Sequence, residues 1–227
     1  QQQAKFLGVA FMAEKQGTLG WPASSQRKST WRKGLSWMDA MATEGEREVL
    51  SNKGASVTLV AGPVDLDTPP RVEQRIDVQT AVEMNDVVQN LWSSMDWGIG
   101  CAAVSDFRPS QTSNEKWHRG DVPPSVDLIE NPDILAGMGQ TKQAHQRLIG
   151  FALESGDGLK SATGKLERKN LDAIVLNTLK DKGAGFGHDT NKVSVHSRDG
   201  KSVSFELKSK YEVACDLVDL WMTTLNP

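Results

Sequence analysis

The chain has 227 residues, 38% of them apolar and 24% charged, the balance of a globular domain that buries a core without staples. Its formal net charge of −3 argues against a general nucleic-acid binder, which carries a basic surplus, yet leaves room for a local basic pocket. Two cysteines, Cys101 and Cys215, make no disulfide framework or zinc site and suit a reduced, cytoplasmic protein, and no apolar run approaches the ~20 residues that span a bilayer.

Residues 1–53 show little periodicity beyond a first strand at Lys5 to Phe11 and a helix at 41–53. Ser56 to Ala61 is β-rich and stopped by Gly62-Pro63. Arg75 to Val78 is a short strand, and Thr80 with Glu83 forms a capping box for a helix. Ala81, Met84, Val87, Val88 and Leu91 share one face of that helix. Trp97 to Val104 reads as an apolar strand, and 105–130 as one long polar loop, mobile over a site. Asn131-Pro132-Asp133 opens the next helix, with Asn131 as its N-cap. Leu148 to Leu153 is a buried strand, Leu159 to Lys169 a helix, and Leu171 to Leu176 a strand. Lys192 to Val195 and Ser202 to Leu207 flank Arg198-Asp199-Gly200 as a hairpin. Ser209 with Glu212 caps a last helix that ends near Leu225.

Strands alternating with helices imply an α/β fold: a three-layer sandwich with a mainly parallel sheet, completed by a C-terminal hairpin and helix. The whole chain is expected to be one domain. Ligands of such sheets bind beyond the carboxyl ends of the strands, here near Val104, Leu153 and Leu176.

Several constellations fall near those ends. Gly98-Ile99-Gly100-Cys101-Ala102-Ala103 would let a ligand approach the backbone, with Asp106 beyond it; tight strand packing explains the same residues. Cys101 lacks a base partner and reads as packing. Lys116-Trp117-His118-Arg119-Gly120 could fold over a polyphosphate or be a solvated loop. Asp133 already occupies a helix N-terminus, which suits a neutral donor better than a phosphate. Lys165 and Lys169 stand four apart on a helix, a mild repulsion of ~0.2–0.5 kcal/mol that a bound anion would reverse. The Gly183 to Asn191 turn lacks a phosphate-loop pattern.

The order of the motifs is more specific than any one of them. Gly-Ala-x-Val-Thr-Leu-Val-x-Gly-Pro-Val at 54–64, Thr-Pro-Pro at 68–70, Thr-Ala-x-Glu-Met at 80–84 and Cys-Ala-Ala-Val-x-Asp-Phe-Arg-Pro at 101–109 are followed by Glu-Lys at 115–116 and Asn-Pro-Asp-Ile-Leu at 131–135. Gly-Phe-Ala-x-Glu at 150–154, Lys-x-x-Arg-Lys-Asn-Leu-Asp at 165–172 and Gly-Phe-Gly-x-Asp-x-Asn at 185–191 complete the series. Over residues 54–225 this resembles the phosphopantothenoylcysteine synthetase domain, the carboxyl-terminal half of a bifunctional coenzyme A enzyme in most bacteria.

The resemblance implies a Rossmann-like fold, a homodimer, and a ligase that uses CTP and Mg2+. Phosphopantothenate would be activated as an acyl-cytidylate and then captured by cysteine. It implies that Gly100, Cys101 and Ala102 line the nucleotide and that Asp106 contacts it. Lys116 would meet the triphosphate, with Lys116 and Asp106 as the catalytic residues. Pro132, Asp133, Ile134, Leu135 and Phe151 would frame the pocket, and Lys165 and Lys169 complete it. Two departures stand out. The family's Lys-x-Lys-Lys loop is Lys116-Trp117-His118-Arg119 here, and residues 1–53 carry neither its Thr-Arg-Glu-Pro segment nor its Ser-Asn-x-Ser-Ser-Gly-Lys-Met-Gly turn. The alternative expectation is therefore a nucleotide-binding dimer without ligase turnover, an impaired paralogue or interaction module. A nicotinamide oxidoreductase is weaker, because no Gly-x-Gly-x-x-Gly follows the first strand.

Overall fold

A computed structural model describes residues 5–10, 56–63, 68, 72–111, 125–154, 158–178 and 190–225. Its strands are β1 (Lys5–Ala10), β2 (Ser56–Ala61), β3 (Gln74–Asp77), β4 (Trp97–Gly100), β5 (Phe107–Pro109), β6 (Leu128–Glu130), β7 (Arg147–Glu154), β8 (Ala173–Thr178), β9 (Thr190–Asn191), β10 (Val193–Ser197), β11 (Ser202–Ser204) and β12 (Lys208–Ser209). The helices are α1 (Ala81–Trp92), α2 (Ile134–Thr141), α3 (Gly158–Arg168) and α4 (Lys210–Thr224).

Eight strands form one sheet in the order β11-β10-β8-β7-β4-β1-β2-β3. β3, β2, β1, β4, β7 and β8 are mutually parallel, and the β10–β11 hairpin joins β8 antiparallel. All six parallel strands therefore end at one edge. The hairpin turns through Gly200 at φ +83°, a conformation that costs glycine little.

Side-chain alternation splits the core into two layers. Leu148 and Ala152 of β7 and Ile174 and Leu176 of β8 pack with α1, α2 and α3 through Met84, Val88, Trp92, Ile134, Met138, Ala162 and Leu166. Ile149, Ala173 and Val175 point the other way and meet Val213, Leu217, Val218 and Trp221 of α4. The sheet is thus covered on both faces, as the apolar runs of its inner strands require.

Both expected capping boxes are present. Thr80 Oγ1 accepts from Glu83 N–H, and the Glu83 carboxylate accepts from Thr80 N–H; Ser209 and Glu212 repeat the exchange at α4. Trp92, which the expected α1 face did not include, is fully buried and donates its indole N–H to Met138 O of α2 at 2.9 Å. Three expectations need correction. β4 stops at Gly100, so 101–106 is irregular backbone. The 105–130 stretch is not all loop, because β5 and β6 pair into an antiparallel ribbon. And α2 is capped by Asp133, not Asn131. The helix expected at 41–53 lies outside the described residues.

Candidate functional site

The carboxyl edge gathers most of the expected site residues. Gly100 ends β4, in register with Gly150 of β7 and Val9 of β1. α2 begins directly above this point, and its Leu135 lies over the two glycines. A Cβ on Gly100 would come within 2.6 Å of Leu135 Cδ2, and one on Gly150 within 2.8 Å of Leu171 Cδ1. The missing side chains thus make room for the protein's own packing, and what Gly100 offers a ligand is its backbone. Gly98 is filled the same way, by Met138, Leu148 and Trp92.

From Gly100 the chain runs through buried Cys101, half-buried Ala102 and exposed Asp106. Asn131 fastens this run. Its backbone N–H donates to Asp106 O at 2.8 Å, and its side-chain amide donates to Ser105 O at 2.9 Å. Its Oδ1 accepts from Arg108 Nη1 at 3.0 Å. With its side chain so occupied, Asn131 leaves the cap to Asp133, whose Oδ1 accepts from Ala136 N–H at 3.1 Å. Half-buried Pro132 separates the two, and Ile134 is buried.

Lys165 and Lys169 both point towards this edge, and each holds a carboxylate. Lys169 Nζ lies 2.9 Å from Asp133 Oδ1, and Lys165 Nζ 2.7 Å from Glu154 Oε1. The repulsion expected between two lysines one turn apart is offset by these acids. Glu154 also accepts from Ser161 Oγ at 2.8 Å. The hydrogen bond from Lys165 holds the Glu154 carboxyl below the usual carboxylate range, against the opposing effect of burial, with Ser161 and the charge of Lys165 adding to the lowering. Sequence reasoning missed Glu154 as the partner of Lys165, although it stands in the quoted Gly-Phe-Ala-x-Glu motif.

Phe151 is not brought together with these groups. Its neighbour Gly150 faces Leu135, so Phe151 faces the opposite side, where it packs against the α4 layer. Lys116, the 114–120 segment around it and the 183–189 turn lie outside the described residues. Among the described residues no three His, Cys, Asp or Glu side chains gather to hold a metal. A magnesium ion carried by phosphates needs only one or two protein carboxylates, and exposed Asp106 at the edge fits that donor chemistry. No helix among the described residues is long and apolar enough to cross a membrane.

Comparison with known proteins gives this geometry its context. The DNA/pantothenate metabolism flavoprotein C-terminal domain matches residues 47–224. A cysteine/cysteine sulfinic acid decarboxylase from an unknown prokaryotic organism is 41% identical over 198 residues, covering 87% of this chain and 53% of that protein. The coenzyme A biosynthesis bifunctional protein CoaBC of Bacillus subtilis is 39% identical over 165 residues, covering 73% of this chain and 40% of that protein. The chain thus spans about half the length, or less, of these relatives. The crystal structure of the C-terminal domain of a CoaBC protein superposes with a TM-score of 0.73 at 32% identity, covering 99% of this chain and 98% of that one. With the motif series, the sheet order and a match that begins at residue 47 and runs to 224, the chain belongs to the DNA/pantothenate metabolism flavoprotein C-terminal domain family, that of the phosphopantothenoylcysteine synthetase domains.

Proposed function

We propose that this chain is the ligase domain that joins 4'-phosphopantothenate to cysteine in coenzyme A synthesis, with CTP as the activating nucleotide. The observation that supports the reading is that Lys169 reaches Asp133 at the start of α2 and Lys165 reaches Glu154 at the carboxyl end of β7, with Asp106 in the segment that follows β4. Two ammonium groups one helical turn apart suit two neighbouring phosphates.

In this reading a carboxylate oxygen of phosphopantothenate attacks the α-phosphorus of CTP. Pyrophosphate leaves, and the acyl-cytidylate forms. The cysteine amine then attacks the acyl carbon, CMP departs with the electrons of the C–O bond, and the amine loses a proton. No protein nucleophile is needed. The chain's contribution is positioning and charge compensation: Lys165 and Lys169 exchange their carboxylate partners for phosphate oxygens, Lys116 adds a third positive charge, and the backbone of Gly100, Cys101 and Ala102 meets the nucleotide. Magnesium, when bound, supplies further charge neutralisation on the phosphates, with Asp106 as its protein carboxylate.

A cytoplasmic homodimer completes the proposal. Phe107, Pro109 and Leu128 share one face of the β5–β6 ribbon, and Phe107 and Leu128 are 51% and 60% exposed. A lone two-stranded ribbon is marginal in water, and a second copy would cover it.

The test is pyrophosphate release by the folded chain. Sustained release should require CTP, phosphopantothenate, cysteine and Mg2+ together, with at most one equivalent per site when cysteine is left out; release no higher than in a protein-free blank rejects the ligase. One observation favours a second reading, nucleotide binding without turnover: the family match leaves out the first 46 residues. That reading predicts calorimetric CTP binding and no acyl-cytidylate by mass spectrometry.

A further inference from the structure

We propose that Asn131, braced by Arg108, is the positioning residue for the 101–106 segment and so for Asp106. The inference rests on the ligase reading only where it speaks of turnover.

Residues 101–106 form neither helix nor strand, so the segment has no ladder of its own to set its course. Backbone carbonyls there must find partners or water. Asn131 takes two in succession, Ser105 O through Nδ2 at 2.9 Å and Asp106 O through its backbone N–H at 2.8 Å. Its remaining polar atom, Oδ1, accepts from Arg108 Nη1, and the same nitrogen donates to Glu130 O at 2.6 Å. The circuit fixes which way the amide faces: reversed, it would set an N–H against the guanidinium and an oxygen against a carbonyl. Ser105 Oγ adds a bond to Phe107 O at 2.8 Å.

Few side chains meet these demands. Aspartate at 131 would oppose a carboxylate to Ser105 O. Alanine would keep the backbone bond and lose both side-chain bonds. Asn131 also stands two residues before Asp133, the cap of α2 and the anchor of Lys169. One residue thus couples Asp106 to the helix start and, through it, to a lysine. A displacement of about 1 Å at a reacting centre costs about 100-fold in rate, so the coupling would be felt in catalysis.

The experiment uses the full chain with Asn131→Ala, Asp106→Asn and the double variant, measuring kcat/KM well below the melting temperature and backbone NMR order parameters. In Asn131→Ala the order parameters of 103–106 should fall from about 0.85 towards 0.6 or less, with β7 and β8 unchanged. Each single variant should lose about 100-fold in kcat/KM, and the double should lose little more than Asp106→Asn alone. Losses that multiply, or order parameters that stay put, overturn the proposal; a purely structural role would lower the melting temperature and spare turnover per folded molecule. If the wild type shows no turnover, the ligase reading fails by itself, and the order parameters still decide the role of Asn131.

Discussion

Lys169 reaches back 36 residues to Asp133, and the Oδ1 that accepts its ammonium at 2.9 Å also accepts the Ala136 N–H that starts α2. One oxygen serves as ion-pair partner and as helix cap. The two roles differ in size. An N-cap is worth about 0.5–2 kcal/mol, whereas a pair whose acid is 49% exposed contributes about 0–1 kcal/mol. Asp133→Asn, which keeps an acceptor oxygen, should cost a few tenths of a kcal/mol, and Asp133→Ala about 1 kcal/mol or more. Urea denaturation would order them; equal losses would mean that the cap contributes nothing.

Glu154 gives a prediction with a definite sign. Its folded pKa is lowered, first by the Lys165 hydrogen bond. The unfolded chain therefore binds this proton more readily than the folded one. Its contribution to stability is full above the ordinary glutamate value of about 4.3 and is lost as pH falls through the lowered folded value. Glu154→Gln should flatten the acid limb of the stability–pH curve and leave the slope near pH 7 alone. The same variant frees Lys165, so CTP affinity should hold or rise, whereas Lys165→Ala should lower it about tenfold. Parallel acid limbs for wild type and Glu154→Gln would remove the pair from the account.

How far the sequence carried this structure depends on how local each signal is. The capping boxes at Thr80 and Ser209 were legible because cap and acid are three residues apart. β2 was legible to the residue because Gly62-Pro63 stops it. The α2 cap was not, since Asn131 and Asp133 both cap well, and the tie is broken by Arg108, 23 residues away. β5 and β6 were invisible because three-residue strands on an exposed ribbon bury no alternating face. Phe151 is the instructive case. Strand alternation alone turns it away from Gly150 and Ala152, and that parity was available in the sequence. Lys116 and the Gly183 turn fall outside the described residues and remain expectations.

Three glycines should respond to alanine in a fixed order. At Gly164, inside α3, a new Cβ meets nothing within 4 Å, so Gly164→Ala should stabilise by about 0.5–1 kcal/mol through helix propensity. At Gly100 the Cβ meets Leu135 Cδ2 at 2.6 Å; a side chain can yield, at about 1–3 kcal/mol. At Gly139 it would sit 2.0 Å from Lys169 O, and backbone cannot yield without parting α2 from the end of α3. Gly139→Ala should be the most damaging, and Gly100→Ala should weaken CTP binding as Leu135 shifts. Melting temperatures in any other order would contradict the packing described at these positions.

The ribbon makes its own prediction. Phe107 and Leu128 lie on one face of the ribbon, which Glu130 shares, and exposed aromatic and aliphatic side chains gathered in this way mark interaction surfaces. Phe107→Ser with Leu128→Ser should shift a dimer to monomer in sedimentation velocity. Neither residue belongs to either core layer, so the melting temperature extrapolated to low concentration should hardly move. A wild-type chain that sediments as a monomer at every concentration would sink the dimer.

His196 stands in β10, one strand in from the β11 edge of the sheet. Its imidazole lies in β10 between Ser194 Oγ at 3.0 Å and Ser202 Oγ at 2.8 Å. Serine hydroxyls donate or accept as required, so they hold either protonation state without preference. Burial decides instead, and it pushes the imidazole pKa down. The unfolded chain then binds the proton at a higher pH than the folded one does. The stability tied to a neutral His196 is full above the ordinary histidine value of about 6.5 and declines as pH drops towards the lowered folded value. Urea unfolding at a series of pH values between about 5 and 7.5 should show stability rising with pH in the wild type, and His196→Asn, neutral throughout, should remove part of that slope. The imidazole Cε1–H resonance should titrate below the ordinary histidine value of about 6.5, and a His196 that titrates at or above it would refute the effect of burial.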